Sequence, residues 1–205
     1  FASAANTDRD SYYGPGNDPL KAYGKTTDLT AMGGTQYVHT FDKCLFMPSD
    51  LTAGLEYNRD RLKDNMWGYD RHTDQTVKVY SAFLQNEWKN KHWGILIGGR
   101  LDKHNMVDDV IFSPRANLRF NPMDNINLRL SYSSGFRAPQ AFDEDMHIEN
   151  VGGTVVMIER AKDLKEEKSQ SFSASADMYH RFGAFQTNLL VEGFYTRLTL
   201  SLIHI

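Results

Sequence analysis

Cysteine, net charge and long apolar runs are all scarce in this 205-residue sequence, and each shortage removes a class of protein. A lone Cys44 rules out an internal disulfide framework and any Cys-Cys metal knuckle. Lys+Arg 23 against Asp+Glu 26 leaves a formal charge of -3 with no basic tract. That lacks the cationic excess with which nucleic-acid binders neutralise phosphates, so no nucleic-acid partner is expected. There is no Walker loop, no HExxH, no Gly-x-Ser-x-Gly elbow and no paired Cys, which leaves catalysis without a foothold and predicts a protein that is not an enzyme. Mean hydropathy is -0.53. No stretch reaches the roughly 18 apolar residues of a membrane helix, but a membrane strand needs only about 9 to 11 residues with every second one apolar. Phe1 to Ala5 has no charged start, apolar core or cleavage site of a leader, and Leu198 to Ile205 ends in an apolar stretch without a cap; both predict a segment of a longer protein.

What is present is a period of two. Leu51, Ala53, Leu55 and Tyr57 alternate with Thr52, Gly54, Glu56 and Asn58, placing apolar groups on one face of a strand and polar groups on the other. The pattern recurs at Trp93 to Leu101, at Ala116 to Phe120, at Ile126 to Tyr132 and at Phe172 to Met178. Weaker versions span Thr26 to Phe41, Gln75 to Lys89 and Phe185 to Thr199, giving eight predicted strands; helical spacing is confined to a turn or two in Ala161 to Lys168.

The predicted connections alternate in length. Long ones at Asn6 to Lys25, Asp60 to Asp74, Lys103 to Phe112 and Arg137 to Glu167 interleave with shorter ones at Asp42 to Ser49, Asn90-Lys91, Pro122 to Asn125 and Phe182 to Ala184. Short turns at one end and long loops at the other are the habit of an up-and-down membrane barrel. Aromatics mark both ends: Phe41, Trp88, Trp93, Phe120, Phe182 and Phe185 beside the short turns, Tyr57 and Tyr132 beside the long loops. Trp and Tyr favour the membrane interface. A soluble sandwich or barrel would also alternate, but it does not require this end-to-end asymmetry.

If the apolar face meets lipid, Glu56, Asn58, Arg100, Asp102, Arg115, Asn117, Arg119, Asn127 and Arg129 point inward, to a wet or plugged interior. Eight strands could close alone with side chains filling the barrel, whereas large loops argue for part of a wider wall around a plugged lumen.

Ser113-Pro114-Arg115-Ala116-Asn117-Leu118, followed by Leu130-Ser131-Tyr132-Ser133-Ser134-Gly135-Phe136-Arg137-Ala138-Pro139, resembles the barrel signature of TonB-dependent outer-membrane receptors, in a Bacteroidetes-like form. Glu144 and Leu164 to Ser169 resemble the family's loop end and next strand start, with Glu166 where a Pro is usual. Phe83 to Trp88, Gly98 to Asp102 and Phe194 to Arg197 also match. The resemblance implies an all-β, antiparallel up-and-down transmembrane barrel segment of about eight strands from a 22-stranded barrel, with the whole of residues 1-205 a partial barrel domain lacking plug and closing strands. It implies a bacterial outer-membrane location and uptake of a scarce ligand (ferric siderophore, haem, cobalamin or glycan) with TonB-derived energy. Outer-membrane lipid and lipopolysaccharide, the TonB complex and a small-molecule ligand are the implied partners. Arg137, Glu144 and His147 become the candidate ligand-binding residues, with no catalytic residue, metal or cofactor. A passive or structural barrel, porin or adhesin-like, and a soluble all-β ligand-binding module are the alternatives.

Seven histidines are scattered without ligand spacing. Haem receptors of the family carry Phe-Arg-Ala-Pro, a haem-ligating His and an Asn-Pro-Asn-Leu box; here Ala161-Lys162-Asp163-Leu164 replaces the box, which favours a solvated loop residue for His147. Arg137 to Glu167 carries eight carboxylates against four cations, net -4, a loop that stays soluble through charge or steers a cationic ligand. Unpaired edges predict that the isolated segment aggregates.

Overall fold

The computed structural model describes residues 1-12, 22-138 and 166-199. They form one antiparallel sheet of nine strands in strictly sequential order: β1 (Ala2–Tyr12), β2 (Tyr23–Cys44), β3 (Met47–Met66), β4 (Arg71–Lys89), β5 (Trp93–His104), β6 (Val110–Met123), β7 (Ile126–Arg137), β8 (Glu167–Phe182) and β9 (Phe185–Thr199). Among the described residues the helical structure is one 3-10 turn, Trp67–Tyr69, and no helix is long and apolar enough to cross a membrane.

Nine strands stand where periodicity predicts eight. The additional one, β1, has the sequence ASAANTDRDSY and pairs along its length with β2, from Ala2 opposite Gly33 to Tyr12 opposite Tyr23. It shows no apolar alternation because Asn6 to Ser11 place polar or charged side chains on both faces. The predicted loop Asp60 to Asp74 is largely strand, β3 running to Met66 and β4 beginning at Arg71, and within Asn6 to Lys25 β1 continues to Tyr12 and β2 begins at Tyr23. Asp42 to Ser49 contracts to a tight turn at Leu45 and Phe46, where Leu45 takes a left-handed φ of 63°. The alternation of connections is therefore cleaner than predicted: turns at 45-46, 90-92, 124-125 and 183-184 lie at one end, and at the other lie 67-70, 105-109 and the strand ends that border residues 13-21 and 139-165. Gly183, at φ 60°, supplies the left-handed residue of its two-residue turn. The helical turn expected within Ala161 to Lys168 lies mostly outside the described residues, and Glu167 and Lys168 open β8.

Burial is inverted relative to a water-soluble sheet. On one face Leu55, Ile97 and Phe112 are 63%, 57% and 59% exposed; on the other Asp102, Ser81 and Thr52 retain 3%, 7% and 8%. A continuous apolar face left open while the polar face is enclosed is unfavourable in water at about 25 cal/mol per Å² and favourable against lipid chains.

Register gives this apolar band its dimensions. Trp93 and Lys103 bound it on β5, ten residues apart, or about 33 Å of strand. The upper aromatics are Tyr57 and Tyr80 on β3 and β4, ring centroids 4.8 Å apart, and Tyr132 and Phe172 on β7 and β8, also 4.8 Å apart, with Tyr195 opposite Phe172 on β9. Followed through the pairings, Tyr80 is level with Val110 of β6 and Tyr132 with Ala116, so the aromatic row slips six residues between β4 and β9. Six residues against five strand spacings is about 20 Å against about 24 Å, a strand tilt of about 40°. Corrected for that tilt the band is about 25 Å tall, the height of an outer-membrane barrel's apolar belt.

Candidate functional site

Tilt and alternation send every second residue to the enclosed face, and register stacks those residues into rows. One row is Glu56, Ser81, Asp102 and Ile111; the next is Gly54, Phe83, Arg100 and Ser113. Arg100 and Asp102 lie two apart on β5, hence on one face. The Arg100 guanidinium donates from Nη1 to Glu56 Oε2 at 2.6 Å and from Nε to Asp102 Oδ1 at 2.8 Å; the Ser81 hydroxyl donates to the same Asp102 oxygen at 2.6 Å. One guanidinium between two carboxylates holds three strands in register and leaves the cluster one charge negative. Fork geometry of this kind orients a wall more than it stabilises it.

Below this cluster the wall turns basic. Arg115 lines a hollow of ≈ 460 Å³ together with Thr52, Gln85, Arg100 and Ser133. Arg115 meets no acceptor among the described residues, and Gln85 Oε1 is buried without a partner. Arg119 and Arg129 stand directly opposite each other and line a second hollow of ≈ 380 Å³ with Glu87 and Glu192. Arg119 donates to the carbonyls of Asn90 and Trp93 at 3.3 and 3.4 Å, and Arg129 to Asn127 Oδ1 at 2.8 Å. Neither has a carboxylate partner among the described residues. Ser131 and Ser173 share a hydrogen bond of 2.6 Å and Ser171 one of 3.0 Å with Thr196, extending the hydrogen-bonding surface across β7 to β9. Such a wall can hold a polar, partly acidic body by many hydrogen bonds and ion pairs. Broader apolar hollows, ≈ 680 and ≈ 730 Å³, lie on the lipid-facing side.

Of the candidate ligand-binding residues, Arg137 closes β7, its Nη1 4.0 Å from Glu167 Oε2 at the start of β8. Glu144 and His147 lie outside the described residues. Among the described residues no group of three His, Cys, Asp and Glu side chains could hold a metal ion. Inward placement of Glu56, Arg100, Asp102, Arg115, Asn117, Arg119 and Arg129 agrees with their parity in sequence. The partnership of Arg100 with Glu56 and Ser81 is not visible there, because it depends on β3, β4 and β5 register.

A family model described as TonB dependent receptor-like, beta-barrel, matches residues 1–199. Among solved structures, a point variant of the ferric enterobactin receptor PfeA from Pseudomonas aeruginosa superposes with a TM-score of 0.68 at 18% identity, covering 96% of this chain and 31% of that one. The siderophore receptor PirA from the same organism gives 0.62 at 15% identity over 86% and 33%, and PirA from Acinetobacter baumannii 0.61 at 16% over 96% and 39%. At these identities the structural likeness shows the fold. The chain spans about a third of the length of the receptors it resembles. No curated protein sequence matches it.

Proposed function

Because the chain belongs to the TonB-dependent receptor family through its β-barrel, whose members are transporters of the bacterial outer membrane and not enzymes, we propose that the protein carrying it is an energised uptake receptor. In this reading the nine strands are one sector of a larger barrel, the enclosed polar wall faces a plug, and the long-loop end faces the medium. The observation that carries it is an inside-out sheet matched over residues 1–199 by the barrel model of this receptor family, its polar face bearing Arg115, Arg119 and Arg129 without carboxylate partners among the described residues. An aqueous lumen or the acidic surface of a plug gives those charges partners.

The imported molecule is a scarce extracellular ligand, and among ferric siderophore, haem, cobalamin and glycan the ferric siderophore has the most support, since the similar solved structures are described as siderophore receptors. TonB supplies the energy. Arg137, Glu144 and His147, at or within the 138-166 connection, contact the ligand on the outer side. The test is uptake of iron-labelled ferric siderophore by cells expressing the full-length receptor, with and without TonB. Uptake that requires both the receptor and TonB is expected. Accumulation that persists without TonB, or binding of none of the four ligand classes by the purified receptor, refutes the reading.

A further inference from the structure

The sheet is sequential but not evenly laced. The β5–β6 ladder runs up to Lys103 opposite Val110, and the β7–β8 ladder to Arg137 opposite Glu167. Between them the β6–β7 ladder ends at Arg115 opposite Ser133, and above that pair the outer ends of β6 and β7 carry no pairing among the described residues.

A proline accounts for the stop. Asn121 N donates to the His92 carbonyl at 2.7 Å, so odd-numbered residues of β6 turn their backbone groups to β5 and even-numbered ones to β7. Tyr179 N donates to the Asn125 carbonyl at 2.8 Å, which by the same alternation turns Ser134 and Phe136 of β7 toward β6. Pro114 stands where the next N–H should reach β7, in register with Ser134, and it has none to give. One step higher, Phe112 and Phe136 would form the next hydrogen-bonded pair and do not.

Side chains hold this seam instead. By parity Phe136 belongs with Leu128, Leu130 and Tyr132 on the outward face, yet it packs against the buried cluster of Val107, Ile111 and Ala138, in which Ile111 is inward-facing. Phe112 leaves the outside of the seam uncovered, because its ring lies over Gly99 of β5, where any Cβ would collide with it. On the enclosed side a hollow of ≈ 480 Å³ reaches across the seam, lined by Arg100, Asp102 and Ser113 on one flank and by Ser134, Gly135 and Phe136 on the other. Since Tyr132 belongs to the upper aromatics, the seam begins at their level and rises toward the medium.

We propose that the outer ends of β7, β8 and β9 form one leaf, hinged beside Pro114 and latched to β6 by Phe136, which parts from β6 above the membrane and opens the hollow toward the medium. The leaf moves as a unit because its own ladders are unbroken, Arg137 pairing with Glu167 and Lys168 with Thr199. Parting breaks no backbone ladder; it exposes a few apolar groups, the small cost that marks a segment able to open locally.

The experiment uses the full-length receptor in phosphatidylcholine vesicles, with Cys44→Ser and every other cysteine replaced likewise. Nitroxides at Lys78→Cys of β4 and Gln170→Cys of β8, both exposed and outward-facing above the aromatics, report across the seam; a second pair at Leu84→Cys and Ala174→Cys joins the same two strands within the band. Pulsed electron resonance should find two distances for the upper pair, leaf closed and leaf open, and one for the lower. Phe136→Ala raises the open-to-closed ratio about tenfold, the effect of losing roughly half a buried phenylalanine's worth of contact. Pro114→Val restores an N–H for the Ser134 carbonyl and collapses the upper pair to the closed distance, also in combination with Phe136→Ala. Heat-modifiable gel mobility verifies that each variant is a folded barrel. A single upper distance that Phe136→Ala does not move overturns the proposal. An upper distribution in Pro114→Val as broad as the parent's overturns it too, as does a lower pair that spreads as widely as the upper. The measurement involves neither cargo nor TonB, so its failure leaves the uptake reading standing.

Discussion

Two consecutive residues of β5 provide a direct test of the inside-out sheet. Ile97 faces lipid and Leu96 faces the polar wall, opposite Glu87. Ile97 lies four residues from Trp93, about 13 Å along the strand and about 10 Å along the membrane normal at a tilt of about 40°, near the centre of the band. A lysine on the lipid face at that depth costs about 2–4 kcal/mol. Ile97→Lys should therefore lower the folded-to-unfolded ratio by about thirtyfold to nearly a thousandfold. Leu96→Lys places the same ammonium at the same depth but against the Glu87 carboxylate, where a cross-strand pair returns about 0.2–1 kcal/mol, so its net cost stays within about 1 kcal/mol. The assay is refolding of the full-length receptor from urea into phosphatidylcholine vesicles, reading the folded fraction by heat-modifiable mobility against denaturant. Comparison of the two variants cancels lysine's intrinsic propensity and the size of the barrel. Equal shifts, or a larger shift for Leu96→Lys, would show that the two faces have been assigned the wrong way round.

Other expectations follow from named contacts. Arg100→Leu leaves Glu56 and Asp102 facing each other without their cation and should destabilise the barrel by about 2–4 kcal/mol in the same refolding assay. Asp102→Asn in that background should restore most of the loss, since an amide still accepts the Ser81 hydroxyl; a double variant as unstable as the single would show that the loss is one of packing rather than charge. Above the band, the hydrogen bond from Arg61 is the largest influence holding the Asp74 carboxyl below its usual range, aided by the charges of Arg61 and Lys63. A lowered folded-state value means that the stabilisation is present at pH above the ordinary carboxylate range, about 4, and is lost as pH falls through the lowered value. Amide-exchange protection in β3 and β4 above Tyr57 and Tyr80 should hold from pH 7 to 5 and decline below about 4, and Asp74→Asn should remove that decline.

The membrane-embedded part of the fold was legible because lipid on one side and water on the other imposes a strict period of two, which is why Leu51 to Tyr57 and Ile126 to Tyr132 are unambiguous. Above the band both faces meet water and the constraint disappears. Asp60 to Met66 and, on β1, Asn6 to Tyr12 then read as loop, though backbone pairing continues through them. The polar wall was half legible on the same grounds. Parity placed Arg100 and Asp102 on one face, but their junction with Glu56 and Ser81 needed the register of β3, β4 and β5, which a single sequence does not specify. The seam between β6 and β7 stayed hidden because only register shows which neighbour the missing N–H of Pro114 faces.

One consequence of the long strands concerns height. Between Tyr57 and Met66 β3 climbs about 30 Å along its path, about 23 Å along the membrane normal, before it turns. The sheet therefore stands up from the bilayer as a stiff palisade. The turn at 67-70 is lifted well clear of the headgroups, to the height of the sugars that carpet the cell. Antibodies and phage tails aimed at this sector would meet the rim before any lipid, and trimming the palisade would lower that rim into the carpet.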